Sequence, residues 1–150
     1  MITQQDIQSL CNSAINAGFN CDVNDIELLQ WNLGIQNHIP LQLPANKAAV
    51  YIFKWNDTYL KVGKVNVNSN ARYQSQHYNP NSSNSNLSKS LLGDAEFQAL
   101  LSNTNVGNWI KENTMRFNIL IPTNFGKNFV HFAEAFFILK CNPRFENSRL

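Results

Sequence analysis

Four short stretches of this chain carry side chains able to do chemistry on an anion. "TYLKVGKV", residues 58–65, sets Gly63 between Lys61 and Lys64 in what otherwise reads as a β-strand. A glycine inside a strand packs no side chain and marks a close approach of something to the backbone. The flanking lysines make a phosphate a reasonable candidate. "RYQSQHY", residues 72–78, follows directly. The planar fork of Arg72 suits a phosphate, and His77 is of the type that exchanges protons near neutral pH. Tyr51, in "AAVYIFKW", is either a core aromatic or a strand residue that lifts its hydroxyl to a surface. Glu134 sits inside the apolar run "FVHFAEAFFILK", with His131 one helical turn earlier. A carboxylate at the edge of a core is costly unless a cation, a donor or a metal satisfies it. Glu134 and His131 also suit the polar stripe of an amphipathic helix.

The elements that must position these residues follow from periodicity. Ile7, Leu10, Cys11, Ala14 and Ile15 recur at helical spacing, and Gly18 ends that helix. A second helix is expected in "DVNDIELLQW", capped by Asp or Asn, with Ile26, Leu28, Leu29 and Trp31 as its stripe. Pro40 and Pro44 make the next stretch a loop. "AAVYIFKW" and "TYLKVGKV" form a hairpin around Asn56 and Asp57. A simple two-residue turn places Tyr51 and Lys61 on opposite faces, whereas an odd offset or a bulge unites them. A short helix follows over 70–78, then a polar, low-complexity loop over 79–86. "LSKSLLGDAEFQALL" and "VGNWIKENT" read as helices, "MRFNILIP" as a third strand, and "NFVHFAEAFFILKCNP" as a final helix stopped before Pro143. The fold class is α+β, with a small central three-stranded antiparallel sheet flanked by helices. Residues 1–44 form an N-terminal helical extension packed on a domain of residues 45–150.

Composition narrows the setting. At 150 residues and 43% hydrophobic content, the chain supports one core. It lacks an apolar run long enough to span a membrane and a charged leader at "MITQQDIQSL", so a cytoplasmic location is expected. Cys11, Cys21 and Cys141 have no metal-ligand spacing and read as reduced, partly buried thiols. Residues 1–46 carry no Lys or Arg and a charge of −4, while residues 47–150 carry +6. The basic part is where a polyanion would bind, and the acidic part is a candidate surface for a second copy or a protein partner.

Taken in order, "AVY" at 49–51, "KVG" at 61–63, Arg72, Glu134 on a helix and Asn142 resemble the GIY-YIG nuclease superfamily, over about residues 48–146. The resemblance implies metal-dependent hydrolysis of phosphodiester bonds, with DNA as the expected substrate and RNA or branched forms as the alternatives. It implies that Glu134 binds one Mg²⁺ or Mn²⁺ ion, that Tyr51 helps deprotonate the attacking water, and that Arg72 stabilises charge on the phosphoryl oxygens. Asn142 would orient the backbone or a site residue. Lys61 stands where many members carry a tyrosine, and would bind the phosphate, stabilise the leaving oxygen or act as a base. The family's histidine follows its arginine by four residues; here position 76 is Gln and His77 comes one later. Lys64, Lys89, Lys111, Arg116 and Arg144 are the expected backbone-phosphate contacts, with Asn142 beside them. A nucleic-acid-binding module of the same fold without turnover is the alternative, and a partner-docking protein acting through residues 1–44 is a third.

Overall fold

The computed structural model describes residues 1–32, 40, 42–83, 86–101 and 104–146. The chain is α+β. Helix α1 (Gln4–Asn16) is followed by strand β1 (Glu27–Trp31) and the hairpin β2 (Lys47–Trp55) and β3 (Thr58–Val65). Four short helices come next: α2 (Asn70–Gln74), α3 (Leu87–Leu92), α4 (Ala95–Leu100) and α5 (Val106–Asn113). Strand β4 (Met115–Pro122) and helix α6 (Gly126–Cys141) complete the order. The sheet is antiparallel throughout, in the order β1-β4-β2-β3.

The sheet has four strands rather than three, because Asp22–Trp31 is not a helix. Asp22 does cap, accepting from the Asn24 N–H at 2.9 Å, but it caps a single 3₁₀ turn, Val23–Asp25. Strand β1 then pairs with β4 from Glu27↔Leu120 to Trp31↔Arg116. Its adjacent apolar residues serve opposite faces: Leu28 packs on one core and Leu29 on the other. A strand covered on both sides yields consecutive apolar positions that imitate a helical stripe.

The sheet divides the interior in two. On its first face Ala48, Val50, Ile52, Val62, Phe117, Ile119 and Ile121 pack beneath α1 and α6. Ile7, Leu10, Cys11 and Ala14 of α1 belong to this core, so the N-terminal helix is built into the sheet's packing. Lys140 of α6 joins Asp6 of α1 at 2.8 Å. The three cysteines are buried free thiols, and burial pushes Cys21 up to about 12 and Cys141 to about 11. On the second face Ala49, Tyr51, Phe53, Leu60, Val65 and Leu120 meet Tyr73, Tyr78 and the apolar sides of α3, α4 and α5. Among the described residues no helix is long and apolar enough to cross a membrane.

Arg116 of β4, expected at a nucleic-acid surface, is instead wholly buried on the second face. Its Nε donates to Asn118 Oδ1 at 3.0 Å, Nη1 to the Tyr78 hydroxyl at 3.0 Å, and Nη2 to the Tyr73 carbonyl at 2.7 Å. The guanidinium also lies 5.1 Å from the Phe53 ring centre and 5.5 Å from that of Tyr73. These bonds latch the segment holding α2 and the 3₁₀ turn Gln76–Tyr78 onto the sheet. Arg116→Met leaves those acceptors without their donor, and we expect it to cost about 3 kcal/mol, read as a lower urea midpoint.

Candidate active site

Tyr51 and Gly63 are directly paired across β2 and β3. A Cβ on Gly63 would stand 2.2 Å from the Tyr51 hydroxyl oxygen and 2.5 Å from Cζ. The close approach signalled by the glycine is therefore the tyrosine itself, whose ring crosses the neighbouring strand. Only a residue without a side chain leaves that path open. Trp55 pairs with Thr58 across the short turn, and a bulge between Phe53 and Lys54 then shifts the register so that Phe53 faces Lys61. The bulge brings Tyr51, Lys61 and Gly63 to one face, the arrangement that an odd offset was expected to produce.

Arg72 reaches this tyrosine from α2. Its Nε and Nη2 donate to the Tyr51 hydroxyl oxygen at 3.4 and 3.2 Å. Burial pushes the Tyr51 phenol above its ordinary range; Arg72 opposes the shift, while the charges of Glu146 and Glu134 add to it. Tyr51 is thus a neutral hydroxyl at neutral pH. With its oxygen accepting from Arg72, its proton is the part left to offer.

His77 lies behind the tyrosine, with ring centres 4.3 Å apart, and against Phe53 at 5.2 Å. Its Nδ1 accepts from the Leu87 N–H at 3.3 Å, which assigns the proton to Nε2. That Nε2 has no hydrogen-bond partner among the described residues. Burial first, then the charges of Arg116, Lys61 and Arg72, hold its pKa well below the usual histidine value. The expected proton exchange near neutral pH does not fit a ring so placed; His77 instead supports Tyr51. The one-residue displacement has a local cause: α2 ends at Gln74, and His77 rides on the following 3₁₀ turn.

The two lysines of "KVGK" point to opposite faces, and each meets a carboxylate. Lys64, on the first face, pairs with Glu134 of α6. Lys61, on the second, pairs with Glu146. Glu146 is brought there by the segment after α6, whose Arg144 and Phe145 N–H groups donate to the Tyr59 and Leu60 carbonyls at 2.9 and 3.0 Å. Sequence reasoning missed Glu146, since nothing local marks it and its partner lies far away in the chain.

Of the expected phosphate contacts, Arg116 is buried and Lys64 and Arg144 are each paired with carboxylates. Arg144 is held by Asp94 at 2.8 Å and Glu96 at 2.6 Å, so its charge is largely answered within the protein. Asn142 is exposed and takes the left-handed conformation at φ 44°, closing α6 with an N–H bond to the Ile138 carbonyl at 2.9 Å. Lys89 is exposed on α3, Lys111 lies 5.9 Å from the Tyr78 ring centre, and His131 is exposed on α6.

Among the described residues no three His, Cys, Asp or Glu side chains cluster in a way that could hold a metal ion. Glu134 offers carboxylate oxygen alone. That donor suits a hard divalent ion held by one protein ligand, with water and phosphate oxygens completing its shell.

No protein-family model, curated protein or solved structure matches the chain.

Two outcomes follow from this geometry. Gly63→Ala pushes a methyl group into the Tyr51 hydroxyl and should destabilise the fold by about 1–3 kcal/mol in a urea titration. The depressed His77 makes the folded state refuse a proton that the unfolded chain accepts. Stability should be full above about pH 6.5 and fall as pH drops through that value, by up to about 1.4 kcal/mol per pH unit. His77→Gln should flatten that part of a denaturation series recorded against pH.

Proposed function

We propose that this chain is a GIY-YIG-type endonuclease that hydrolyses phosphodiester bonds in DNA. The observation that carries the reading is the Tyr51 hydroxyl, laid over Gly63 and bonded by Arg72, with Lys61 on the same face. These are the residues that the ordered resemblance named, and folding brings them together from β2, β3 and α2. Glu134, from α6, meets Lys64, the neighbour of Gly63, on the other face of the sheet.

In this reading Arg72 stabilises the negative charge that develops on the phosphoryl oxygens, being fixed in place before the substrate arrives. Tyr51 acts as a neutral hydroxyl whose proton orients a phosphate oxygen or the attacking water, a role different from the proton acceptor first expected. Lys61 supplies a second positive charge beside Tyr51. His77 keeps the tyrosine ring from turning away. Glu134 would hold Mg²⁺ or Mn²⁺, which supplies Lewis-acid activation of a water. Lys64 balances the Glu134 charge when the ion is not there.

A second reading, a nucleic-acid-binding module without turnover, is favoured by one feature: both lysines beside Gly63 are engaged by carboxylates. Supercoiled plasmid incubated with the protein and Mg²⁺ or Mn²⁺ separates the two. Cleavage is expected, and Arg72→Ala or Glu134→Gln should each slow it by roughly 10²-fold while leaving the circular dichroism spectrum unchanged. Wild-type protein that binds DNA or RNA and yields no product under any of these conditions would move the assignment to the binding module.

A further inference from the structure

We propose that Glu146 is a built-in substitute for a substrate phosphate, masking Lys61 until an external anion takes its place. The Lys61 side chain is only 3% exposed and that of Glu146 is 26% exposed, so the carboxylate is the member of the pair nearer to solvent. Tyr51 beside them has no exposed surface. A phosphate that takes the place of the Glu146 carboxylate would meet the Lys61 ammonium there. The two groups share the chemistry that matters here: each is an oxyanion accepting charge-assisted bonds from an ammonium.

The tail that carries Glu146 is arranged for such an exchange. Its backbone is fixed one and two residues earlier, through the Phe145 and Arg144 N–H bonds to β3. Arg144 is also tied to Asp94 and Glu96 of the α4 region, and Phe145 packs 6.0 Å from the Phe97 ring centre. The Glu146 side chain can thus rotate off Lys61 without undocking the segment. A buried ammonium with no counterion is strongly destabilising, so the exchange keeps Lys61 paired both before and after binding.

This inference rests on the nuclease reading for the identity of the anion, and its test does not require cleavage. Binding of a short fluorescein-labelled DNA duplex in EDTA is measured by anisotropy for wild type and Glu146→Gln. The variant should bind roughly tenfold more tightly at low salt, with the gap narrowing as salt rises, because a like charge has been removed beside the phosphate. Equal or weaker binding by a folded variant overturns the proposal. Should that variant fail to fold, ¹³C-labelled wild-type protein decides the matter: saturating duplex must shift the Glu146 carboxyl signal, and an unmoved signal overturns the mask. Inorganic phosphate in the same titration identifies the source, since a shift with phosphate alone marks a site for the free ion and a shift only with duplex marks one for the phosphodiester. If wild type binds and exchanges Glu146 without cutting plasmid, the nuclease reading fails while the mask stands.

Discussion

The Arg116 guanidinium is the constraint on which the second face of this protein depends. It is a full charge in the core, answered by neutral acceptors and aromatic rings and by no carboxylate among the described residues. Such a group is tolerated only when every donor has somewhere to go, so its partners are held as firmly as it is. Two of those partners, the Tyr73 carbonyl directly after Arg72 and the Tyr78 hydroxyl directly after His77, fix the segment from which both side chains project. The short α2 would be marginal by itself, since a helix of this length has too few internal bonds to offset its nucleation. Tied to Arg116 from within and carried on into the 3₁₀ turn Gln76–Tyr78, which α5 presses where Gly107 admits the Tyr78 carbonyl at a distance no larger residue would allow, it becomes a rigid mount.

The same charge explains the state of the histidine. An imidazole shut in with Arg116, Lys61 and Arg72 nearby gains nothing from a further positive charge. The sequence presents His77 as a titrating group because its type and its nearness to Arg72 suggest one. What cancels that reading is a cation contributed by a strand far along the chain, which no local pattern reveals.

Much of the architecture was legible because its signals are local. The "ND" turn, the β-branched runs of the hairpin, the strand ended by Pro122 and the apolar helix before Pro143 all appear where periodicity put them. The Gly63 signal was also sound, although its cause proved to be Tyr51 rather than a ligand. Where the reading went astray, burial was decided by partners distant in sequence. β1 looked helical because Leu28 and Leu29 serve two different cores. Arg116 looked like surface because arginine usually is, and nothing in "MRFNILIP" announces the tyrosines that enclose it. Glu146 stood out in no way, because its significance lies in a lysine on the far side of the chain.

The bulge between Phe53 and Lys54 does two things at one place. It turns Lys61 toward the face of Tyr51, and in the adjoining stretch of β3 the Tyr59 and Leu60 carbonyls receive the segment that carries Glu146. Parity therefore becomes a heritable property of this hairpin. A single residue gained or lost between Tyr51 and Gly63 would exchange inside for outside along the strand and unseat the tail together with the lysine. Length changes compatible with the site would have to arrive in compensating pairs, so this short interval should drift in composition far more readily than in spacing.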